Sequence, residues 1–307
     1  MIGGTGMRSD RPFGGIGYMV LGMVFICAVD AMGKYLVGSY SLFQILLVRG
    51  VIALILLAPV IWRMGGLRVL RTRKPWMQLG RATAAVLAMF AFFSALHDLP
   101  LADVTAVSFA GSLVMTALSV PLLKERVGWR RWAAILVGFL GVVVLVQPGS
   151  TAFHPSFLYA LAATVLYALM MISARWMATT ETNVSMVFYL SLLSAIVGGF
   201  GAPFFWVAPS ALDWLLLAGV GLAGLLAHLC LTQSFRIAPV AVVAPFEYSA
   251  LLWATGFGLI IWGDLPGMHV WIGSAILIAA GLYILYSEAR AARHKTRLAE
   301  ASGVTGD

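Results

Sequence analysis

The chain has 307 residues, of which 61% are hydrophobic and 10% are charged, whereas charged residues make up about 25% of an average soluble domain. This composition excludes an ordinary soluble protein and favours one that lies within a membrane. The formal net charge of +8 is dispersed over short loops, so it indicates contact with anionic lipid headgroups rather than with nucleic acid.

Long apolar segments follow one another along almost the whole chain. A helix needs about 20 apolar residues to cross roughly 30 Å of hydrocarbon, and these segments are too long for the strands of a membrane barrel. Turn residues such as Pro100 and Pro266 separate them, and tryptophans such as Trp62 stand near their ends. We therefore predict an all-α polytopic membrane protein with ten spans, at residues 14–37, 42–62, 76–96, 101–123, 132–147, 157–177, 184–207, 212–235, 240–262 and 270–287.

Positive charge predicts how the chain is oriented. Outside the spans, Lys and Arg fall in an N-terminal arm (residues 1–13), in alternate loops and in a basic C-terminal tail (residues 288–307), while the intervening loops carry none. Loops rich in Lys and Arg stay in the cytoplasm. We therefore expect both termini to be cytoplasmic.

Internal similarity predicts two repeats, at residues 14–149 and 150–287. A shift of 139 positions aligns several matching residues, among them Gly80 with Gly219, Pro100 with Pro239 and Trp132 with Trp271. Each repeat has five spans, an odd number, so the second copy is inverted in the membrane. Residues 124–126 (Lys-Glu-Arg) correspond to 263–265 (Gly-Asp-Leu), where the positive charges are gone, as inversion requires. Inverted repeats are typical of secondary transporters.

Several stretches resemble a known family. They are Arg49, Arg81, residues 99–105 (Leu-Pro-Leu-Ala-Asp-Val-Thr), 124–126 and 243–248 (Val-Ala-Pro-Phe-Glu-Tyr). With its five-plus-five helices, the chain resembles the EamA family of the drug/metabolite transporter superfamily over residues 14–287. Residues 30–36 (Asp-Ala-Met-Gly-Lys-Tyr-Leu) and 285–288 (Leu-Tyr-Ser-Glu) are similar to the branch with S-adenosylmethionine, riboflavin and amino-acid transporters.

The resemblance implies ten helices, a bacterial inner-membrane location and passage of a solute through a central cavity between the two halves. We therefore expect a secondary transporter that moves a small organic metabolite, such as an amino acid, S-adenosylmethionine or riboflavin, by alternating access. Family members differ in substrate and in direction of transport, so the resemblance leaves both open.

A membrane-embedded enzyme and a non-transporting membrane sensor are the alternatives. An enzyme would need a convergent acid, base or nucleophile set, for which the sequence offers only His228 with Glu247. A sensor usually carries a soluble domain, and we expect none in this chain. The sequence also lacks a Walker loop, a Cys/His cluster and a nucleophile triad, so we expect no enzymatic activity, no metal and no cofactor.

Ionisable residues inside spans are the first candidates for function, because a charge at the bilayer centre costs roughly 2.5–3.5 kcal/mol. Asp30 and Arg49 are expected at similar depth, with Lys34 one turn beyond Asp30. They form either a structural ion pair or a gate and clamp for a substrate carboxylate. Arg81, near the cytoplasmic face, either belongs to such a gate or extends its side chain to the lipid headgroups.

Glu247 is the strongest single candidate. It stands seven residues into the ninth span, shortly after Pro245, and His228 lies at comparable depth in the eighth span. Proline can kink a helix and free a backbone carbonyl. We expect Glu247, alone or with His228, to bind a proton or a cationic group of the substrate. The alternative is a carboxylate paired permanently with Arg81 or Arg49.

Polar and aromatic side chains are expected to line the path. The candidates are Thr105, Ser108 and Ser112 on one stripe of the fourth span, Tyr159 and Tyr167 on one side of the sixth, Gln233 in the eighth and Tyr248 in the ninth. Their hydroxyls are equally suited to ordinary interhelical hydrogen bonds. The expected partners are thus a small-molecule substrate, protons and membrane lipids. The oligomeric state stays open between monomer and homodimer, because two repeats can complete a pathway within one chain.

Overall fold

The computed structural model describes residues 12–123, 128–150, 153–177, 180–238 and 240–301. Within these ranges the chain forms helices and no strand. The α-helices are α1 (Pro12–Val37), α2 (Leu42–Arg63), α3 (Pro75–Asp98), α4 (Leu101–Ser108), α5 (Gly111–Leu123), α6 (Trp129–Val146), α7 (Ser156–Met177), α8 (Asn183–Gly201), α9 (Ala211–Ile237), α10 (Val240–Val243), α11 (Ala250–Trp262) and α12 (Met268–Ala301). Short 3-10 helices lie at Gly66–Leu70, Ala202–Phe204 and Ala244–Ser249.

Within the described residues, ten helical segments are long and apolar enough to cross a membrane, which confirms the predicted number of spans. The bounds differ at some ends. The predicted span 270–287 belongs to a helix that continues to Ala301, so part of the expected basic tail (288–307) is helical. The predicted span 184–207 is shorter, because α8 ends at Gly201 and a 3-10 turn follows. Below, the N-terminal face is the membrane face on which α1 begins, and the opposite face is the one on which α1 ends.

The fourth and ninth spans are interrupted helices. Between α4 and α5 the regular helix stops at Phe109, and between α10 and α11 it is replaced by the 3-10 turn Ala244–Ser249. Pro245 has no N–H to continue the helical hydrogen bonds. In α4 the Ser108 hydroxyl donates to the Val104 carbonyl at 3.0 Å, and such side-chain bonds compete with the backbone pattern.

Helices from the two halves of the chain pack against each other in pairs. The pairs are α1 with α9, α2 with α8, α3 with α7 and α6 with α12. Small residues allow close backbone approach in membranes. A Cβ atom on Gly141 of α6 would lie 3.0 Å from the Gly273 carbonyl oxygen of α12, and one on Gly50 of α2 would lie 2.8 Å from the Ser191 carbonyl oxygen of α8.

The main core surrounds the two interrupted spans. Every residue of α4 from Leu101 to Val107 is buried, and the main apolar cluster joins α4 and α11 to α1, α3, α6, α7 and α12. The interruptions therefore lie in the interior of the bundle rather than at its lipid-facing surface.

Candidate functional site

The two interruptions meet inside the bundle. The rings of Phe109 and Tyr248 pack edge to face, with centroids 5.0 Å apart and an angle of 83° between the planes. Phe109 is eight residues after Leu101, where α4 begins, and Tyr248 is eight residues after Val240, where α10 begins. At 1.5 Å per residue, Phe109 lies roughly 12 Å from the opposite face and Tyr248 lies roughly 12 Å from the N-terminal face. Both depths are close to the middle of a hydrocarbon core about 30 Å thick.

Glu247 lies in the second interruption and is accessible to water although it is deep within the protein. Tyr167 of α7 is likewise 46% exposed, and the two groups are close enough to interact electrostatically. Because these side chains are interior and yet accessible, we infer a space inside the bundle next to them. Within the described part of the chain, Glu247 has no ion pair with Arg49 or Arg81 at up to 4.0 Å.

Asp30 of α1 and Arg49 of α2 are half-buried in the interior. On α1, Gly33 faces Phe93 of α3 and Cys27 donates to the Ala250 carbonyl oxygen of α11 at 3.3 Å, so Asp30 projects between α3 and α11. The Asp30 carboxylate and the Arg49 guanidinium are close enough for an electrostatic interaction. Among the described residues they form no ion pair at up to 4.0 Å, so the expected direct structural pair is not present.

Lys34 does not join Asp30 either. Its ammonium group donates to Asp264 Oδ2 at 3.3 Å and to the Leu99 carbonyl oxygen at 2.9 Å, and it lies 4.8 Å from the ring centre of Trp262. This places Lys34 in a cluster at the opposite face, where it joins the end of α1 to the second half of the chain.

Arg81 is buried, with 9% of its surface exposed. Its Nη1 donates to the Met186 carbonyl oxygen of α8 at 3.2 Å, and its Nε has no partner in the structure. The interpretation that this side chain extends to the headgroups is therefore wrong. Arg81 instead links α3 to α8 near the N-terminal face.

The predicted polar stripe of the fourth span is broken. Thr105 and Ser108 lie on α4 but Ser112 lies on α5, so the i, i+3, i+7 spacing does not run along one continuous helix. Each hydroxyl donates within its own span, to the carbonyl oxygens of Leu101, Val104 and Phe109 respectively. Ser112 nevertheless lies close to the site, because its hydroxyl and that of Tyr248 both approach Gly281.

The remaining candidates are less closely grouped. Tyr159 is exposed near the start of α7, eight residues before Tyr167 and so about two turns nearer the opposite face. Gln233 is half-buried near the end of α9, at the N-terminal face. The side chain of His228 lies outside the described part of the structure, so its predicted pairing with Glu247 stays a prediction.

A surface groove of about 260 Å³ between α3 and α8 is a competing location for a ligand. It is lined mainly by apolar groups, including Leu79, Leu192 and Ile196. It lies between two helices that do not carry the interruptions, and its mainly apolar lining offers little to orient a polar solute, so the interior space remains the candidate site.

Comparison with known proteins decides the family. Residues 13–147 match the EamA-like transporter family. The chain is 30% identical over 281 residues to the S-adenosylmethionine uptake transporter of Rickettsia felis, an alignment that covers 92% of this chain and 95% of that protein. The chain belongs to the EamA-like transporter family. The resemblance seen in the sequence, to this family and the drug/metabolite transporter superfamily, is confirmed.

Other relatives of this transporter are named for different substrates. It is 26% identical to the riboflavin transporter of Vibrio cholerae, over 94% of this chain and 98% of that one. It is 24% identical to the pseudopaline exporter CntI of Pseudomonas aeruginosa, over 89% and 96% of the two chains. A crystal structure with 21% identity superposes with a TM-score of 0.59 over 89% of this chain and 96% of that chain, which supports the ten-helix fold.

These relatives establish the general activity. The chain is a multi-pass membrane protein that transports small metabolites, and its relatives are transporters rather than enzymes. The alternatives of a membrane-embedded enzyme or a sensor are not favoured.

The sequence reading missed one charged residue inside this transporter. Asp103, in the first turn of α4, is 8% exposed, and its Oδ1 atom has no hydrogen-bond partner in the structure. The signal was available, since Asp103 is a carboxylate within a predicted span and such residues are expensive and usually functional. Asp264, which Lys34 contacts, falls in a loop and carried no such signal.

Proposed function

We propose that this transporter moves a small organic metabolite with charged groups across the bacterial inner membrane by alternating access. The observation that carries the proposal is the meeting of the two interrupted spans, next to the accessible Glu247, near the middle of the bundle. Discontinuous helices at the bilayer midplane are where transporters place their substrate and coupling-ion sites, because the broken backbone offers polar groups there.

We further propose that residues 14–149 and 150–287 are inverted repeats that rock about this site. The offset of 139 supports this, because it relates Ser108, at the end of α4, to Glu247 in the second interruption. The packing of α1 with α9 and of α3 with α7 supports it too, since a two-fold axis in the membrane plane would exchange these two pairs.

Three interior charges are the proposed contacts for substrate. Arg49 suits a carboxylate, whereas Asp30 and Glu247 suit cationic groups. All three are partly accessible and free of direct ion pairs among the described residues. S-adenosylmethionine has a carboxylate, an ammonium and a sulfonium group, and the relative in Rickettsia felis is named for its uptake, so it is the first substrate to test. Tyr167 and Tyr248 offer rings for an apolar or aromatic part.

We place both termini and the basic loops in the cytoplasm, on the strength of the positive-charge distribution. The proposed pathway lies within one chain, so a monomer suffices for transport and a homodimer would contain two pathways. We also propose that protons drive transport, with Glu247, alone or with His228, as the group that exchanges them.

Uptake into proteoliposomes tests these proposals. Radiolabelled S-adenosylmethionine, methionine and riboflavin would each be supplied at pH values between 5.5 and 8, with and without a proton gradient. We expect wild-type protein to accumulate at least one of them unchanged. In Glu247→Gln, loss of a charge-assisted contact, typically about 1.5–3 kcal/mol, should slow uptake by roughly 10- to 100-fold and remove its pH dependence.

The control is Glu300→Gln, the same change near the end of α12, beyond its apolar part; it should leave uptake unchanged. Chemical conversion of the solutes, or no uptake of any metabolite, would contradict the transport proposal. Uptake by Glu247→Gln with an unaltered rate and pH profile would remove Glu247 as the proton or substrate site.

A further inference from the structure

A cluster at the opposite face contains one ammonium group and two carboxylates. We call Lys34, Asp103, Trp262 and Asp264 the Lys34 cluster. Lys34 contacts Asp264 at 3.3 Å, and Asp103 interacts electrostatically with both. With Lys34 protonated and both carboxylates ionised, the cluster carries a net charge of −1, and Asp103 is its buried member.

Asp103 is the unsatisfied member. Its side chain is more than nine-tenths buried, at 8% exposure, and its Oδ1 atom has no donor among the described residues. A buried acceptor without a donor is destabilising, and more so when it is charged. Lys34 does not relieve this in the described structure, where its ammonium group donates to Asp264 and to the Leu99 carbonyl oxygen instead. Addition of a proton to Asp103 would remove the unpaired charge.

The cluster also joins the two halves of the chain. Lys34 at the end of α1 reaches Leu99, at the junction of α3 and α4, and Asp264, between α11 and α12. Trp262 ends α11 and faces the same ammonium group. Separation of these elements is what an opening at this face requires, so the cluster sits where it can hold that face closed.

We propose that Asp103 binds a proton at the opposite face and that this proton locks the Lys34 cluster in its closed arrangement. With Asp103 neutral, Lys34 and Asp264 form a one-to-one pair. With Asp103 ionised, it competes with Asp264 for the single ammonium, which weakens the link between the halves and favours opening. The inference rests on the proposed transport role and adds a second proton site to it.

Other titratable groups near this face do not take the place of Asp103. From α1 the group that faces it is Lys34, and from the loop after α11 it is Asp264. Among the described residues, the remaining titratable side chains towards this face are Tyr35 near the end of α1, Tyr40 before α2, His97 and Asp98 of α3, His154 before α7, Tyr159 of α7, Asp213 at the start of α9 and His269 at the start of α12. Asp98 bonds to His97 at 2.7 Å and accepts from Ser156, so it is already satisfied.

The sign of the pH effect follows from linkage. The closed cluster buries Asp103, and opening exposes it to water, where ionisation is easier. The closed state therefore holds the proton more tightly, and acidification favours it. For one linked proton the ratio of closed to open molecules changes by up to about tenfold per pH unit.

Distance measurement between two spin labels tests the inference without any substrate. The labels would be placed at Ser39→Cys, after α1, and Leu265→Cys, in the loop after α11, where both native side chains are exposed. The buried Cys27 and Cys230 would be replaced by Ser and Ala. In nanodiscs, the ratio of molecules with the short distance to molecules with the long distance should rise at least about threefold between pH 8 and pH 5, within the range of one linked proton.

Two variants make the test specific. Asp103→Asn should show the short distance at every pH. Asp264→Asn should reverse the response to pH. In this variant Asp103 is the remaining carboxylate of the cluster that can hold Lys34, so its protonation should release the lock and acidification should favour the long distance. Asp98→Asn is the matched control, at the same face but bonded to Ser156 instead, and should respond like the wild type.

The outcomes separate this inference from the proposed function. A pH-independent distance in the wild type, or an Asp103→Asn protein that responds like the wild type, would overturn the lock even if S-adenosylmethionine is transported. If Asp103→Asn does not fold, the response of Asp264→Asn decides: reversal supports the lock and a wild-type response overturns it. A pH-dependent lock in a protein that transports no metabolite would leave this inference standing and remove the transport proposal.

Discussion

The charges at the opposite face and the charges in the interior differ in how they are satisfied. Lys34 has three neighbours, a carboxylate, a carbonyl oxygen and an indole ring. Asp30 and Arg49 have opposite charges and lie close enough to interact, yet within the described residues they make no direct contact. A contact that is complete without a ligand serves structure, whereas buried charges held apart in an accessible space are available to a ligand.

Loss of an interior charge should therefore affect transport far more than stability. Arg49→Gln removes the proposed partner of a substrate carboxylate, and a bond to a charged group contributes about 1.5–3 kcal/mol. We expect uptake in proteoliposomes to fall by roughly 10- to 100-fold. The thermal stability of the protein without substrate should change little, because Arg49 is only half-buried and makes no direct ion pair among the described residues.

The control for this prediction is Arg63→Gln, the same substitution on the same helix but at its exposed end. It should transport like the wild type. An Arg49→Gln protein that transports normally but unfolds more easily would show that Arg49 is structural, and the distinction between the two regions would fail.

Much of the architecture could be predicted because the bilayer imposes strong rules on sequence. Ten spans follow from apolar length, and the interruption of the ninth follows from Pro245. The interruption after Ser108 was not foreseen, since no proline marks it and hydroxyl-bearing residues also occur in continuous helices. The assumed stripe from Thr105 to Ser112 failed for that reason.

The partners of the charged side chains were harder to predict. Lys34 was expected near Asp30, one helical turn away, but it contacts Asp264, 230 positions along the chain. Helical spacing determines which residues share a face of one helix, whereas partners on other helices depend on packing between the halves. Arg81 was expected to reach the headgroups but bonds to Met186 on α8, again a contact between halves.

In the Lys34 cluster, the same kind of change should act mainly on stability. Removing one partner of a fully buried pair costs roughly 3–5 kcal/mol. The Lys34 side chain is 12% exposed and that of Asp264 is 35% exposed, so solvent reduces the effect and we expect about 1–3 kcal/mol for Lys34→Met. Unfolding in mixed micelles with increasing SDS, followed by circular dichroism, measures it.

Lys74→Met is the matched control, because Lys74 donates to the Trp176 carbonyl oxygen at 3.0 Å through a solvent-exposed hydrogen bond. It should change the free energy of unfolding much less. If both variants unfold alike, the Lys34 contacts do not stabilise the closed arrangement, and the contrast with the interior charges disappears.

The smallest effect is expected at Tyr40, between α1 and α2. Its hydroxyl donates to Asp213 Oδ2 at 2.7 Å, and this hydrogen bond, more than burial, raises the pKa of Tyr40. A raised pKa means that the interaction stabilises the protein below the ordinary tyrosine pKa and is lost as pH rises through the folded value. At neutral pH, Tyr40→Phe should lower the thermal midpoint slightly, since the Ser210 hydroxyl also donates to Asp213 and keeps it partnered. As the pH rises above about 10, the wild type should lose this advantage and the two midpoints should converge.

Tyr286→Phe, at an exposed position on α12, supplies the baseline. Because Tyr40 and Asp213 are a satisfied pair outside the interior space, uptake should be the same in all three proteins; a transport defect in Tyr40→Phe would mean that satisfied contacts at this face also control the solute pathway.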